Sequence, residues 1–362
     1  MLIIEKKHTF ANIYNSKNMK KTIKWGVAIL AVIAIIIAAP LCYTYYVVIM
    51  QKVELQETVY IYITPGDNAE SIMKKIDEAA APKSLKGFEI LAEHNNFDHR
   101  TRSGKFAINN GDNMQNIYRR IVTNQQTPVR ITVPSTRTVE QIAATLGNEL
   151  MIDSADVMNL LSNDLYLSCF GYTKESMPSM FIPDTYEVYW NITAEDLIVR
   201  LLEERSNFWN STRRAKAEAI GLTAEEVATL ASIVDEETNN NEEKPIVAGL
   251  YINRLNRGML LQADPTVKFA LGDPTRRRIL NSDLEVESPY NTYKHAGLPP
   301  GPIRIPTKQG LESVLNYQEH DYIYMCAKED FSGTHNFART LSEHNANARR
   351  YQQALNANNI NR

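Results

Sequence analysis

The sequence predicts an α+β protein with one N-terminal transmembrane helix, a small βα module and a larger mixed α+β domain. Three observations lead there. Trp25 to Met50 contains no charged residue, a run longer than the roughly 20 residues that span a bilayer. Short strands with period-2 alternation follow, separated by capped helical segments. Beyond residue 134 the helical period dominates, interrupted by proline-rich and asparagine-rich turns. The expected boundaries are a cytoplasmic tail at 1–24, a transmembrane helix at 25–50, a first exported module at 57–133 and a second domain at 134–357.

Orientation follows from charge. Lys6, Lys7, Lys17, Lys20, Lys21 and Lys24 precede the apolar run, and Lys52, Glu54 and Glu57 follow it. The positive-inside bias keeps the amino end in the cytoplasm and exports everything after residue 50. The run is too long for a signal peptide and no small-x-small site ends it, so a retained single-pass anchor is expected. Met19-Lys20-Lys21 resembles a second start, which makes the first 18 residues a dispensable tail. With 39 basic against 42 acidic residues, nothing points to nucleic acid. Cys42, Cys169 and Cys326 make no closed disulfide framework, and a Cys169–Cys326 bridge stays open. The histidines show no ligand spacing, so neither a metal nor a cofactor is expected.

In the exported part, Val59–Thr64 alternates as a strand that Pro65-Gly66 ends, and 68–79 reads as a short helix. Gly104–Val122 repeats this strand–turn–helix logic, a weak internal pair. Val129–Val133 is another strand. Thr138 with Gln141 opens a helix that Gly147 closes, and 153–167 is helical. Phe181–Tyr186 forms a rigid turn, with Tyr186, Tyr189 and Trp190 as core or as a sugar-facing surface. Residues 194–218 read as one long helix with Arg200, Glu203, Glu204 and Arg205 outward.

Thr223 with Glu226 is a capping-box start for the helix that carries the central observation. On a 100° wheel with Val234 at zero, Val227, Leu230 and Ala231 fall within about 60°, and so do Glu237 and Thr238. Asp235 and Glu236 point about 100° and 200° away, toward solvent. An acid on a core stripe loses water and its pKa rises, as a proton-donating catalyst requires. The same pattern also describes a helix ending in a charged turn, with Glu237 paired to an Arg or Lys. After Asn239–Asn241 a helix restarts at Pro245, with Leu250, Tyr251 and Leu255 as its apolar face, and Gly258 stops it. Asp264 then caps a short helix with Pro265 at its first position. Between Ser288 and Pro306 lie five prolines and two glycines, a stiff loop that holds Tyr290–Tyr293 in place. Tyr322–Ala327 reads as a strand, and Gly333–Phe337 as a polar turn before the last helix.

Several of these stretches carry a resemblance. Leu230–Thr238 (Leu-Ala-Ser-Ile-Val-Asp-Glu-Glu-Thr) resembles the active-site helix of the endolytic murein transglycosylase family, the MltG or YceG-like proteins. Ile252–Leu255 with Gly258-Met259, Leu261–Thr266, Tyr290–Tyr293 through Gly301, His335–Phe337 and Phe181–Tyr186 agree in order and spacing. The similarity runs from about Val59 to about Leu355. It implies Glu237, the acid followed directly by Thr, as catalyst, the residue the wheel also selects. It also implies a LysM-like subdomain at 57–133 and a catalytic domain at 134–357. The chain departs from the family in its Asp235-Glu236 pair, where members often carry Glu-Lys, a loss of basic charge that favours a protonated Glu237.

The implied reaction cleaves the bond between N-acetylmuramic acid and N-acetylglucosamine within nascent glycan strands, leaving 1,6-anhydro ends and terminating strand elongation. One carboxylate suffices as acid and then base, whereas glycan hydrolases pair two. Thr238, Asn253, Gln262, Asp264, Asn291, Tyr293, His335 and Asn336 are the candidate substrate contacts, each with a structural alternative. Arg276–Arg278 meets stem-peptide carboxylates or is a solvated surface run. The expected partners are peptidoglycan strands, the membrane and peptidoglycan synthases. The placement is the cell (inner) membrane, with the catalytic domain on its periplasmic or extracellular side. Two rivals stand: a muramidase using Asp264 as second carboxylate, and a non-catalytic wall-binding scaffold.

Overall fold

The computed structural model describes residues 2–99, 102–273, 276 and 279–358, with side chains described from residue 19 onward except at His99. Two compact units divide at Pro128. The first begins with helix α1 (Leu2–Tyr45), continued by a wider π turn over Tyr46–Met50. Met19–Met50 is long and apolar enough to cross a membrane, and its most apolar window is left uncovered by the rest of the chain. The expected span reached Met50, but Val47 and Val48 are buried. A Cβ on Gly87 would meet Val47 O at 2.3 Å, so the last turn packs against protein.

Strands β1 (Val59–Ile63) and β2 (Gly104–Ile108) pair antiparallel, Val59 opposite Ile108 and Ile63 opposite Gly104. Helices α2 (Ala69–Ala80), α3 (Lys86–His94) and α4 (Met114–Val122) cover them. The repeat read in the sequence has a physical counterpart. Asn68 and Asn113 cap α2 and α4 in nearly the same backbone conformation. Asp67 and Asp112 each accept from the backbone N–H three residues earlier, at 2.6 and 2.8 Å. Ile61, Ile63, Ile72, Ile76, Phe88, Phe106 and Ile117 fill the core between the layers.

The second unit opens with β3 (Val129–Val133), which pairs antiparallel with β4 (Asp184–Val188). Strand β3, expected at the end of the first module, belongs to the second unit through its pairing with β4. Between them lie α5 (Val139–Glu149), α6 (Ser154–Leu161) and α7 (Asp164–Cys169). Helix α5 runs through Gly147, because the close approach of Ser154 to Gly147 needs the missing side chain. The single helix expected at 153–167 breaks where Asn163 caps α7. The long helix expected at 194–218 likewise divides into α8 (Ala194–Phe208) and α9 (Ser211–Ala219), since Asn210 caps the second. Arg205, read as outward, is buried; its Nε donates to Ser179 O and its Nη2 reaches Glu225. Tyr186 is core and donates its hydroxyl to Ile182 O, while Tyr189 is exposed.

Then come α10 (Ala224–Glu237), α11 (Lys244–Asn256), α12 (Asp264–Ala270) and α13 (Lys308–Leu315). Strands β5 (Tyr324–Ala327) and β6 (His335–Ala338) form an antiparallel hairpin followed by α14 (Leu341–Ala357). The segment read as a polar turn at 333–337 is thus largely strand, its alternating residues aligned by pairing with β5. Helix α10 has its expected capping box and lies in the larger core, with Val227 through Asp235 all buried.

That burial corrects one expectation. Asp235, placed on a solvated face by the wheel, is buried because α11 and α13 cover that side. Lys244 Nζ donates to its Oδ1 at 2.6 Å, and Thr307 donates from its N–H and hydroxyl at 2.6 and 2.9 Å. Gly310 on α13 makes room, since a Cβ there would stand 2.6 Å from the carboxylate oxygens. Removing one partner of a buried ion pair leaves an uncompensated charge. Lys244→Met is therefore expected to lower unfolding free energy by about 3–5 kcal/mol; a urea titration showing a loss under 1 kcal/mol contradicts this account.

Candidate active site

Glu237 ends α10 beside the first turn of the Asn239–Asn241 loop. It is half-buried: the carboxyl lies deep among protein atoms, yet part of the residue still opens to solvent. Its Oε1 accepts a 2.5 Å hydrogen bond from the Tyr251 hydroxyl. Among the described residues no Lys or Arg is ion-paired with it. Burial pushes its pKa up to about 7. The Asp264 charge adds to the rise, while the Tyr251 hydrogen bond and the charges of His335 and Lys268 oppose it. At neutral pH the group is therefore shared between its acid and base forms, the condition for efficient proton transfer in both directions.

Its acidic neighbours differ because their surroundings differ. Glu236 is gripped by Arg137 at 2.6 and 2.9 Å and by Arg304 at 2.9 Å. Burial raises its pKa, but the two guanidinium groups outweigh burial and hold it low. Arg137 and Arg304 thus bring basic charge to position 236, as Lys244 does to Asp235. Three consecutive acids have three fates, and among the described residues only Glu237 has no cationic side chain bonded to it.

The surrounding motifs are joined by short buried bonds. Arg254 on α11 donates to Ile323 O, Leu261 O and Leu260 O at 2.6, 2.7 and 3.2 Å, fixing the turn before α12. Gln262 adopts a left-handed backbone there, φ +51°, and its N–H donates to Thr292 O. Thr292 Oγ1 accepts from Ala263 N at 3.0 Å and lies 2.8 Å from Thr266 Oγ1. This stitch sets Asp264 against Tyr293, whose hydroxyl donates to Oδ1 at 2.6 Å. Asp264 is accordingly not the side-chain cap expected for α12; Ala263 holds that position without a side-chain bond. Across the site, β6 presents His335 to Glu243, with Nδ1 3.0 Å from Oε2 and the backbone N–H 2.6 Å from Oε1. Burial lowers the His335 pKa, but the hydrogen bond and charge of Glu243 and the charge of Glu237 raise it overall.

The candidate contacts sort by what their polar atoms already touch. Asp264, Tyr293 and His335 gather around Glu237, each charge or hydroxyl acting on it or on its partner. Gln262 is exposed, its Oε1 3.4 Å from Arg254. Thr238 is buried and its Oγ1 accepts from Asn240 N, shaping the loop. Asn253 uses its amide donors on His320 O and Tyr322 O. Asn291, 0% exposed, donates to Leu284 O and Val286 O and accepts from Tyr293 N. Asn336 donates to Glu329. These last four hold backbone or loops. Of the arginine run, Arg276 pairs with Asp283 at 2.9 Å, and Arg277 and Arg278 lie outside the described residues. Cys169 and Cys326 are free thiols. Sequence reading missed Tyr251, taken as apolar lining, as well as Glu243, Lys268, Arg137 and Arg304. Only Tyr251 carried a signal: it lies fourteen positions after Glu237 on the next helix, a hydroxyl on a face otherwise apolar.

A cavity of ≈ 330 Å³ adjoins the site, lined by Arg137, Glu236, Pro265, Lys268, Phe269 and Ile303 among others. Glu236 on one wall immediately precedes Glu237, and Lys268 on the other acts on it electrostatically.

The model of the YceG-like family matches residues 61–350. A Bacillus subtilis (strain 168) protein named endolytic murein transglycosylase is 27% identical over 314 residues, covering 83% of this chain and 86% of that one. A Streptococcus pneumoniae (strain ATCC BAA-255 / R6) protein of the same name is 26% identical over 323 residues, 80% of this chain but 57% of the relative. The chain thus spans little more than half of that longer protein. The crystal structure of a YceG-like protein from Listeria monocytogenes shares the fold with a TM-score of 0.53 at 24% identity, covering 81% of this chain and 99% of that one.

Two outcomes follow from the environment of Glu237. Its folded-state pKa of about 7 lies above the ordinary 4.5, so this group's stability contribution is complete below about 4.5 and is lost as pH rises through 7. Glu237→Gln lacks that loss and is expected to be about 1–3 kcal/mol more stable than wild type at pH 8, measured by urea unfolding; equal stability at pH 5 and pH 8 differences of zero contradict it. Tyr251→Phe removes a bond that favours the ionised form. The pH at which Glu237 titrates, read by carboxyl-labelled NMR, is then expected to move upward by about one unit; a downward move overturns the assignment.

Proposed function

The chain belongs to the YceG-like family, and from that premise we propose that it is a membrane-anchored lytic transglycosylase that cuts murein glycan strands internally. The observation that carries the reading is Glu237: a half-buried carboxyl with a pKa near neutrality, held by Tyr251 and free of any ion pair among the described residues. Such a group protonates the bridging oxygen between N-acetylmuramic acid and N-acetylglucosamine. The muramyl 6-hydroxyl then attacks its own anomeric carbon, and the resulting carboxylate takes the hydroxyl proton. The bridging bond breaks, a 1,6-anhydro bond forms, and Glu237 ends as it began. No water enters and no second carboxylate is required.

The neighbours act on that proton or on the substrate. Tyr251 fixes one oxygen of Glu237 as an acceptor and so directs the proton to the other. Glu243 holds His335 beside the carboxyl and raises its pKa, and the charge of His335 favours the base form of Glu237. Asp264 and Tyr293, with Gln262 on the exposed rim, are the proposed contacts to sugar hydroxyls and acetamido groups. Residues 57–133 are proposed as the LysM-like subdomain, and the lysine-rich segment before the apolar helix supports a cytoplasmic amino end. Cleavage close to the membrane fits strand termination beside peptidoglycan synthases.

A second reading has one observation in its favour. Asp264 is close enough to raise the pKa of Glu237, as expected of a carboxylate pair in a muramidase. Mass spectrometry of digested sacculi separates the two: 1,6-anhydro ends are expected, and reducing ends would assign the hydrolase. Glu237→Gln is expected to lower strand cleavage by at least about 10³-fold. Cleavage within tenfold of wild type would leave the catalyst elsewhere, and wall binding with no cleavage by the wild type would favour a scaffold.

A further inference from the structure

The cavity beside Glu237 contains a cation that the cleavage chemistry does not use. Lys268 lies on the last turn of α12 and lines the cavity half-buried. Among the described residues its ammonium has neither hydrogen bond nor ion pair. Arg137 in the wall is paired with Glu236, which Arg304 also holds. Asp273 also lines the cavity. Between the charges run Pro265, Phe269 and Ile303, an apolar floor. The volume lies at the lower end of ligand pockets, roughly 300–1,000 Å³, and the Lys268 ammonium beside an apolar floor suits a small acidic group attached to methyl-bearing carbons.

A glycan strand of murein offers one such group next to the scissile bond. The muramyl residue carries a lactyl ether whose methyl is followed by an alanine methyl and then by an acidic residue. We propose that this cavity is the subsite for the peptide-bearing substituent of the muramyl residue, with Lys268 meeting its carboxylate and the Pro265–Phe269–Ile303 floor taking the methyl groups. The inference rests on the reading of the chain as a murein-cleaving enzyme, and it adds where the peptide substituent binds and which side chain reads it. Lys268 is then a specificity-determining residue. It sits one helical turn after Asp264 (i, i+4), so binding of the substituent and placement of the sugar are coupled through one short helix.

The test is equilibrium binding to the full chain in detergent, in a Glu237→Gln background that prevents turnover and removes the charge coupling between positions 237 and 268. The probes are N-acetylglucosaminyl-N-acetylmuramyl-L-alanyl-D-glutamate and the same disaccharide with no peptide, titrated calorimetrically. The peptide-bearing probe is expected to bind more tightly. Lys268→Met is expected to weaken it by about tenfold, as for loss of a charged hydrogen bond, and Lys268→Arg to restore it within about twofold. An affinity that Lys268→Met does not move, an equal loss on both probes, or no binding of the peptide-bearing probe overturns the proposal. Failure of the underlying reading is distinguishable: Lys268-dependent binding by a wild-type chain that cuts no strand removes the cleavage assignment and leaves the pocket. Cleavage with Lys268-independent binding removes the pocket alone.

Discussion

Helix α10 is covered on almost every side, and the rest of the site depends on that constraint. Its core residues Val227, Leu230, Ala231 and Val234 are joined in burial by Thr229, Ser232 and Asp235, which a one-sided helix would expose. A carboxylate in such a place must find a partner, change its protonation, or destabilise the fold. The three acids at the end of α10 take different routes. Asp235 is tied to Lys244 and Thr307, which pins α11 and α13 against the helix. Glu236 is tied to Arg137 and Arg304, which brings the segments after β3 and before α13 to the same point. Glu237, left with a neutral tyrosine, keeps its proton to higher pH. The charged pairs at Asp235 and Glu236 thereby supply rigidity, and the unpaired acid is the proposed proton donor.

The second determinant is the joining of distant loops by hydroxyl groups. Thr266 and Thr292, both buried, bond each other and the Ala263 backbone. Threonines suit this place because each satisfies buried backbone groups without adding a charge. Asn291 does the same for the loop leading to Tyr293, with all its polar atoms engaged. The residues that look most like sugar contacts in the sequence are therefore of two kinds. Asp264, Tyr293 and His335 stand at the site, and Asn253, Asn291, Asn336 and Thr238 build the walls that hold them there.

Several element boundaries departed from the periodicity for one recurring reason: a polar residue capped a new helix inside an apolar-periodic run. Asn163 and Asn210 each accept from the backbone N–H three residues on and restart the helix in a new direction. Gly147 did the opposite, continuing a helix it was expected to end, because its lack of a side chain served packing against Ser154. Residues 335–338 became a strand because β5 offered a pairing edge, which a local reading of polar residues does not register.

What the sequence by itself determined is the part governed by local spacing. The capping box at Thr223 and Glu226, the period that carries Glu237 onto the apolar stripe, the charge asymmetry around the apolar N-terminal helix and the ordered motifs of the family are all one-dimensional facts. Tertiary structure alone decided which acid is neutralised, by what, and at what depth. Asp235 was drawn inward by Thr307, 72 residues further on at the start of α13, and Tyr251 turned from core lining into the donor to Glu237. Protonation is set by the nearest charges and by the water excluded around a group, and those neighbours come from segments far away in the chain.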